Sequence, residues 1–191
     1  MYHTGKPNFK NKSKEKLYCA LLEMVQVKSY DKIAVEKLAK KAGVSRSTFY
    51  RHYQRIDEIL LEAIDQEIVS YSRCLMDFSS AGNFNLPFPL NLMEVSIEFW
   101  TKHYELVDCL IRIDRVQWLY SKLLEMDVSE NFDDSRLNRL EKIDSMYVKR
   151  IGAVILVETL NYWIKNGRSK SPCDLTNLLI SSFGDGGKTD P

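Results

Sequence analysis

Two short helical segments separated by a three-residue turn constrain this chain more than any other feature of its sequence. From Val35 to Ala42 the apolar residues Leu38, Ala39 and Ala42 fall on one helical face. Gly43 follows, where a helix commonly ends in a left-handed residue. Val44 then leads to Ser45, a good N-cap, and to a further helix from Arg46 to about Tyr53. At about 100° per residue, Phe49 and Tyr53 share one side of that helix. Arg51 lies nearly opposite with Ser47 and Thr48 beside it; Arg46 and Tyr50 flank one edge, Thr48 and His52 the other. So short a helix with two apolar anchors is unstable alone, so neighbouring helices must hold it. The arrangement is a helix-turn-helix. Its second helix hides an apolar side and shows small polar and basic groups, as entry into a major groove about 12 Å wide requires.

The rest of the chain also reads as helix. Residues 1–12 lack periodicity and form a basic arm. Ser13 is a plausible N-cap for a helix whose stripe is Leu17, Ala20, Leu21, Met24 and Val25. A longer helix starts near Asp57 and Glu58, where the dipole favours anions, and runs through Leu60, Leu61, Ile64 and Ile68 to about Asp77. Residues 79–89 read as a loop. Helices follow at about 90–102, 104–112 and 115–126, and the polar stretch Asp127–Ser135 reads as a loop. A long helix covers about 140–166, with consecutive apolar residues from Ala153 to Val157. The last, about 173–183, starts behind Pro172 and carries Leu175, Leu178, Leu179 and Phe183 on one stripe; the tail from Gly184 is expected to be disordered. No run alternates with period two. The expectation is an all-α protein of about nine helices, with an N-terminal three-helix DNA-binding domain over residues 1–55 and a C-terminal helical domain over 56–191.

Charge separates the same two regions. The chain of 191 residues is 45% hydrophobic and 28% charged, a globular composition, with a formal net charge of +1. Residues 1–60 hold 13 Lys/Arg against 6 Asp/Glu, net +7; residues 61–191 hold 14 against 20, net −6. A basic segment on an acidic body suits a polyanion, although a solvated lysine-rich tail gives the same count. The cysteines (Cys19, Cys74, Cys109, Cys173) and histidines (His3, His52, His103) are scattered, against a zinc module or a disulfide framework. No glycine-rich phosphate loop, H-E-x-x-H or G-x-S-x-G is present, so neither an enzyme nor a metal or other cofactor is expected. The apolar run Leu17–Val27 is interrupted by Glu23 and Gln26, and Ile151–Leu160 is too short to span a bilayer. A soluble cytoplasmic protein without a secretory leader is the expectation.

The stretch Ile33-Ala34-Val35-Glu36-Lys37-Leu38-Ala39-Lys40-Lys41-Ala42-Gly43-Val44-Ser45-Arg46-Ser47-Thr48-Phe49-Tyr50-Arg51-His52-Tyr53, with the Asp-Glu-x-Leu that follows at residue 57, resembles the signature of the tetracycline-repressor (TetR/AcrR) family. The resemblance spans about residues 12–62. It implies a dimeric repressor of double-stranded operator DNA, released by a small-molecule effector. Arg46 and Ser47, behind the Ser45 cap, would face base edges, with the Arg46 fork suited to guanine O6 and N7. Thr48, Tyr50 and His52 match positions that touch phosphates. Lys41 and the arm lysines Lys10, Lys12 and Lys14 would add salt-dependent backbone or minor-groove contacts. Tyr50 could instead pack, and Arg51 and His52 could be surface residues without a role. Two positions depart from the pattern. Ala34 stands where the family usually has a capping threonine or serine, and Ile56 where it often has a lysine, for which Arg55 would substitute.

For the remainder, the resemblance implies a four-helix dimer interface from the last two helices, with Ile155, Tyr162, Leu175, Leu178 and Leu179 as candidates; both helices could instead complete a monomer core. It also implies an effector pocket, for which Trp100, His103, Tyr104, Cys109 and Trp118 are candidates, although aromatics there are more often core. An apolar or mixed small molecule would fit the scarcity of clustered charge. The run from Tyr147 through Trp163 and Gly167 to Ser171-Pro172-Cys173-Asp174-Leu175 looks like a subgroup that includes dihydroxyacetone-kinase-type regulators. The alternative to a repressor is a co-regulator that works through protein–protein contact and binds DNA weakly.

Overall fold

A computed structural model describes residues 7–81, 90–126 and 142–183. Among these the secondary structure is helical, without a strand: α1 (Lys12–Val27), a 3₁₀ turn (Tyr30–Lys32), α2 (Val35–Ala42), α3 (Arg46–His52), α4 (Asp57–Ala81), α5 (Leu90–Lys102), α6 (Tyr104–Arg112), α7 (Val116–Glu125), α8 (Lys142–Lys165) and α9 (Pro172–Phe183). The all-α expectation holds. The expected loop at 127–135 and the tail from Gly184 lie outside the described residues. No helix among the described residues is long and apolar enough to cross a membrane.

The chain forms two compact units. The first takes residues 1–70 and 103–125, the second 71–102 and 126–191. In the first, α1 packs on α2, α3 and α6, and α6 on α7. Leu17, Leu21, Leu38, Phe49, Ile59, Leu60, Ile64, Leu106 and Leu110 make its buried core. In the second, α5 packs on α8 and α9, around Ile97, Trp100, Leu156 and Leu160.

Three local predictions need correction. Asn11, not Ser13, caps α1: its side chain accepts a hydrogen bond from the Ser13 amide at 2.8 Å. Its carbonyl also receives the Lys14 and Glu15 amides, so the helix starts at Lys12, the residue at which the arm was expected to end. Phe9, in that arm, is buried on the Tyr18 ring at a centroid distance of 5.2 Å. The second correction is at the far end of α4, which continues to Ala81. Ser80 follows the helix by donating to the Met76 carbonyl at 2.9 Å, a bond that lets a loop-forming residue stay helical. Third, α9 includes Pro172 as its first residue, where a missing amide costs nothing. Ser171 and Asp174 cap it reciprocally: the Asp174 amide donates to Ser171 Oγ and the Ser171 amide to Asp174 Oδ2, both at 3.1 Å. Trp163 completes this corner by donating its indole N–H to the Lys170 carbonyl at 2.8 Å.

Candidate nucleic-acid interface

The turn between α2 and α3 is fixed by backbone chemistry. Gly43 sits at φ 65°, ψ 36°, left-handed backbone that an L side chain enters at a cost of about 1–2 kcal/mol. Its amide donates to the Lys40 carbonyl at 3.2 Å, and the Val44 amide to Ala39 at 3.0 Å. These two bonds satisfy carbonyls that the end of α2 would otherwise leave open. Ser45, in extended backbone, then accepts the Thr48 amide at 3.0 Å. The same Oγ lies 2.8 Å from the hydroxyls of both Ser47 and Thr48, so Ser45 organises the first turn of α3. By contrast Ala34, the N-cap of α2, makes no side-chain cap bond.

Burial divides α3 in two. Phe49 is fully buried, and Tyr53, its C-cap, is buried too. The other side presents Arg46, Ser47, Tyr50 and Arg51 as exposed residues, with Thr48 and His52 half-buried. Tyr50, 53% exposed, stands edge-on to Phe49 at 5.3 Å; it packs at one end and shows its hydroxyl end outward. Neither Arg46 nor Arg51 forms an ion pair among the described residues, so both guanidinium groups are available to an anion. Burial, then the Arg51 and Lys14 cations, hold the His52 imidazole below its usual pKa.

The other expected contact residues differ in availability. Lys41 pairs with Glu23 at 2.6 Å, and Arg55 reaches Glu58 only at 3.7 Å. Lys10 and Lys12 are exposed. Lys14 is committed elsewhere: both Glu62 carboxylate oxygens accept from its ammonium at 2.9 Å. Tyr53 also donates to Glu62, at 2.7 Å, and the Lys14 nitrogen lies 5.2 Å from the centre of the Tyr53 ring. This brace joins α1, the end of α3 and α4, and so sets the pose of the exposed side of α3. Glu62 carries no local signal of that role, since its partners lie 48 and 9 residues away.

The five candidates for an effector pocket do not gather within either unit. Trp100 belongs to the second, fully buried against Tyr71 and Phe99, with its indole N–H unpaired. The other four belong to the first. His103 is buried with its Nδ1 2.6 Å from Glu67 Oε2, a contact inside the unit that joins α4 to the start of α6. Cys109 is fully buried, and burial pushes its thiol up to about 12. Tyr104 and Trp118 are half-buried, the latter beneath the Arg115 guanidinium at 5.9 Å.

The candidates on the last two helices do meet. Ile155 and Tyr162 of α8 and Leu175, Leu178 and Leu179 of α9 line one groove of about 430 Å³, with Val154, Glu158 and Thr159. Ile151 (58%), Val154 (46%), Tyr162 (72%) and Leu178 (47%) are exposed, a concentration of apolar surface that monomeric proteins seldom leave uncovered.

With this geometry in place, comparison with known proteins gives one sequence match and several fold matches. The family model for bacterial regulatory proteins of the tetR family matches residues 17–63, which span α1 to the first turns of α4. That segment is a tetR-family domain. No curated protein matches the chain. Among solved structures, the fold is shared with NalD, the secondary repressor of the MexAB-OprM multidrug efflux pump in Pseudomonas aeruginosa, at TM-score 0.63 and 16% identity over 92% of this chain and 96% of that one. It is shared with Lin0861 of Listeria innocua at 0.62 and 18%, over 95% and 97%. The transcriptional regulator FadR of Bacillus subtilis, solved with stearoyl-CoA, matches at 0.56 and 16%, over 90% and 98%.

Proposed function

We propose that this protein is a transcriptional repressor that binds a two-fold-symmetric DNA site as a dimer and is released by a small-molecule effector. The observation that carries this is α3: two unpaired arginines and a row of hydroxyls on its open side, held by a buried Phe49 and a capped turn. Arg46 and Ser47 read base edges, and Thr48, Tyr50, Arg51 and His52 grip phosphates with help from Lys41, Arg55, Lys10 and Lys12. Lys14 serves the fold through Glu62. The exposed apolar groove of α8 and α9 supports the dimer, which a repeated half-site requires. The division of labour is a DNA-reading segment over residues 1–55 and a regulatory segment over 56–191. The run from Tyr147 to Leu175 supports kinship with dihydroxyacetone-kinase-type regulators.

Release follows from linkage. An effector shifts the protein off DNA only if it binds better to a conformation whose two α3 helices no longer fit successive major grooves. NalD as a repressor supports the repressor reading, and FadR with stearoyl-CoA supports an apolar or mixed effector here. The test is a footprint on genomic fragments selected by the purified protein. Protection of two inverted half-sites, centred one helical turn or a multiple apart, is expected. Binding that protects no defined sequence and vanishes with added salt would overturn the proposal, and would favour a co-regulator acting through protein contact.

A further inference from the structure

Glu158 is the one charged side chain lining the groove between α8 and α9. Its polar contact among the described residues is a 3.3 Å hydrogen bond from Asn161. Around it the wall is Val154, Ile155, Thr159, Tyr162, Leu175, Leu178 and Leu179. Covering this groove with a second copy, as the dimer proposed above requires, takes the Glu158 carboxylate out of water. A desolvated carboxylate without a cation is strongly unfavourable. The second copy must therefore supply the cation.

Two-fold symmetry restricts which cation that is. In an isologous contact between antiparallel helices, a residue faces the one equally far on the other side of the axis. Arg150 is exposed on α8 and forms no ion pair among the described residues. It lies four residues before Val154, as Glu158 lies four after. At 100° per residue the two stand about 40° to either side of Val154, and about 6 Å along the helix from it. Val154 is also at the middle of α8 (Lys142–Lys165), so an axis there overlaps the two helices along their whole length. Moving the axis to Glu158 would place two carboxylates against each other. Moving it to let Lys165 meet Glu158 would leave Tyr147 and Ile151, both exposed, uncovered.

From this we infer that the two copies cross at Val154, with Arg150 of each copy paired to Glu158 of the other, and that this reciprocal pair fixes register and selects self over other partners. The inference rests on the dimer reading, and charge reversal separates the two. Sedimentation of the full chain at low salt is expected to show a dimer. Arg150→Glu and Glu158→Arg, both at exposed positions, are each expected to weaken self-association at least tenfold. An equimolar mixture of the two is expected to form a heterodimer at near wild-type strength, as is the double variant with itself. Recovery on mixing would exclude misfolding as the cause. A monomeric wild type would overturn the dimer reading and this inference with it. A dimeric wild type whose single reversals associate unchanged, or whose reversals weaken association without recovery on mixing, would overturn the register while leaving the dimer intact.

Discussion

At the scale of single residues, α2 and α3 depend on a few backbone positions. Ala34 has the extended conformation of an N-cap, φ −89° and ψ 145°, without the side chain. Ala34→Ser should stabilise the protein by about 1 kcal/mol, read as a higher denaturant midpoint at unchanged slope. An unchanged midpoint would show that water caps α2 as well as serine does. Gly43→Ala should cost about 1–2 kcal/mol, although nothing lies within 4 Å of the added methyl group; the cost is backbone strain alone. Cys109 should resist alkylation in the native protein and react only on unfolding, since it is buried and its thiol is held neutral far above pH 7; labelling of native Cys109 would contradict that placement. His52 supplies a pH prediction. Its pKa in the free protein is below the ordinary 6.5, whereas a phosphate beside it favours the charged ring. DNA binding therefore takes up a proton, and affinity should rise as pH falls through 6.5 and below. Titrations of wild type and His52→Gln across that range check it: equal pH slopes would remove His52 from the phosphate contacts.

At the scale of elements, the turn and both its helices were legible because their determinants are local. Gly43, Ser45 and the Leu38–Ala42 face act within a few residues of one another, and the structure keeps those helix limits nearly unchanged. What holds α3 in place was not legible. Lys14 reads as one more arm lysine and Glu62 as a polar break in Leu60-Leu61-Glu62-Ala63-Ile64, yet they meet across 48 residues. The same limit applies to His103, whose partner Glu67 lies on another helix. Tyr53→Phe and Lys14→Met are each expected to cost about 0.5–1.5 kcal/mol, with the double variant costing less than their sum because both bonds end on Glu62. Strictly additive losses in a double-mutant cycle would refute a shared brace.

At the scale of the whole molecule, the basic first sixty residues and the acidic remainder match the proposed division between polyanion contact in one part of the chain and self-association through the apolar groove of the other. A net charge of +1 hides that asymmetry, which shows only in the charge of each segment. No effector was legible. Of the aromatic rings between 90 and 126, Trp100 is buried in the core while Phe99, Tyr104, Trp118 and Tyr120 are half-buried, and they do not gather around one cavity, so their chemistry names no ligand. Sequence reading by α3 through Arg46, as proposed, is tested by comparing the wild type with Arg46→Ala on duplexes selected without bias from a random pool. The wild type should select a palindromic site. Arg46→Ala should relax that preference by about 1–3 kcal/mol at one symmetric pair of positions and retain the rest of the site. A substitution that weakens every sequence equally, or a wild type that selects no sequence, would contradict sequence reading through Arg46.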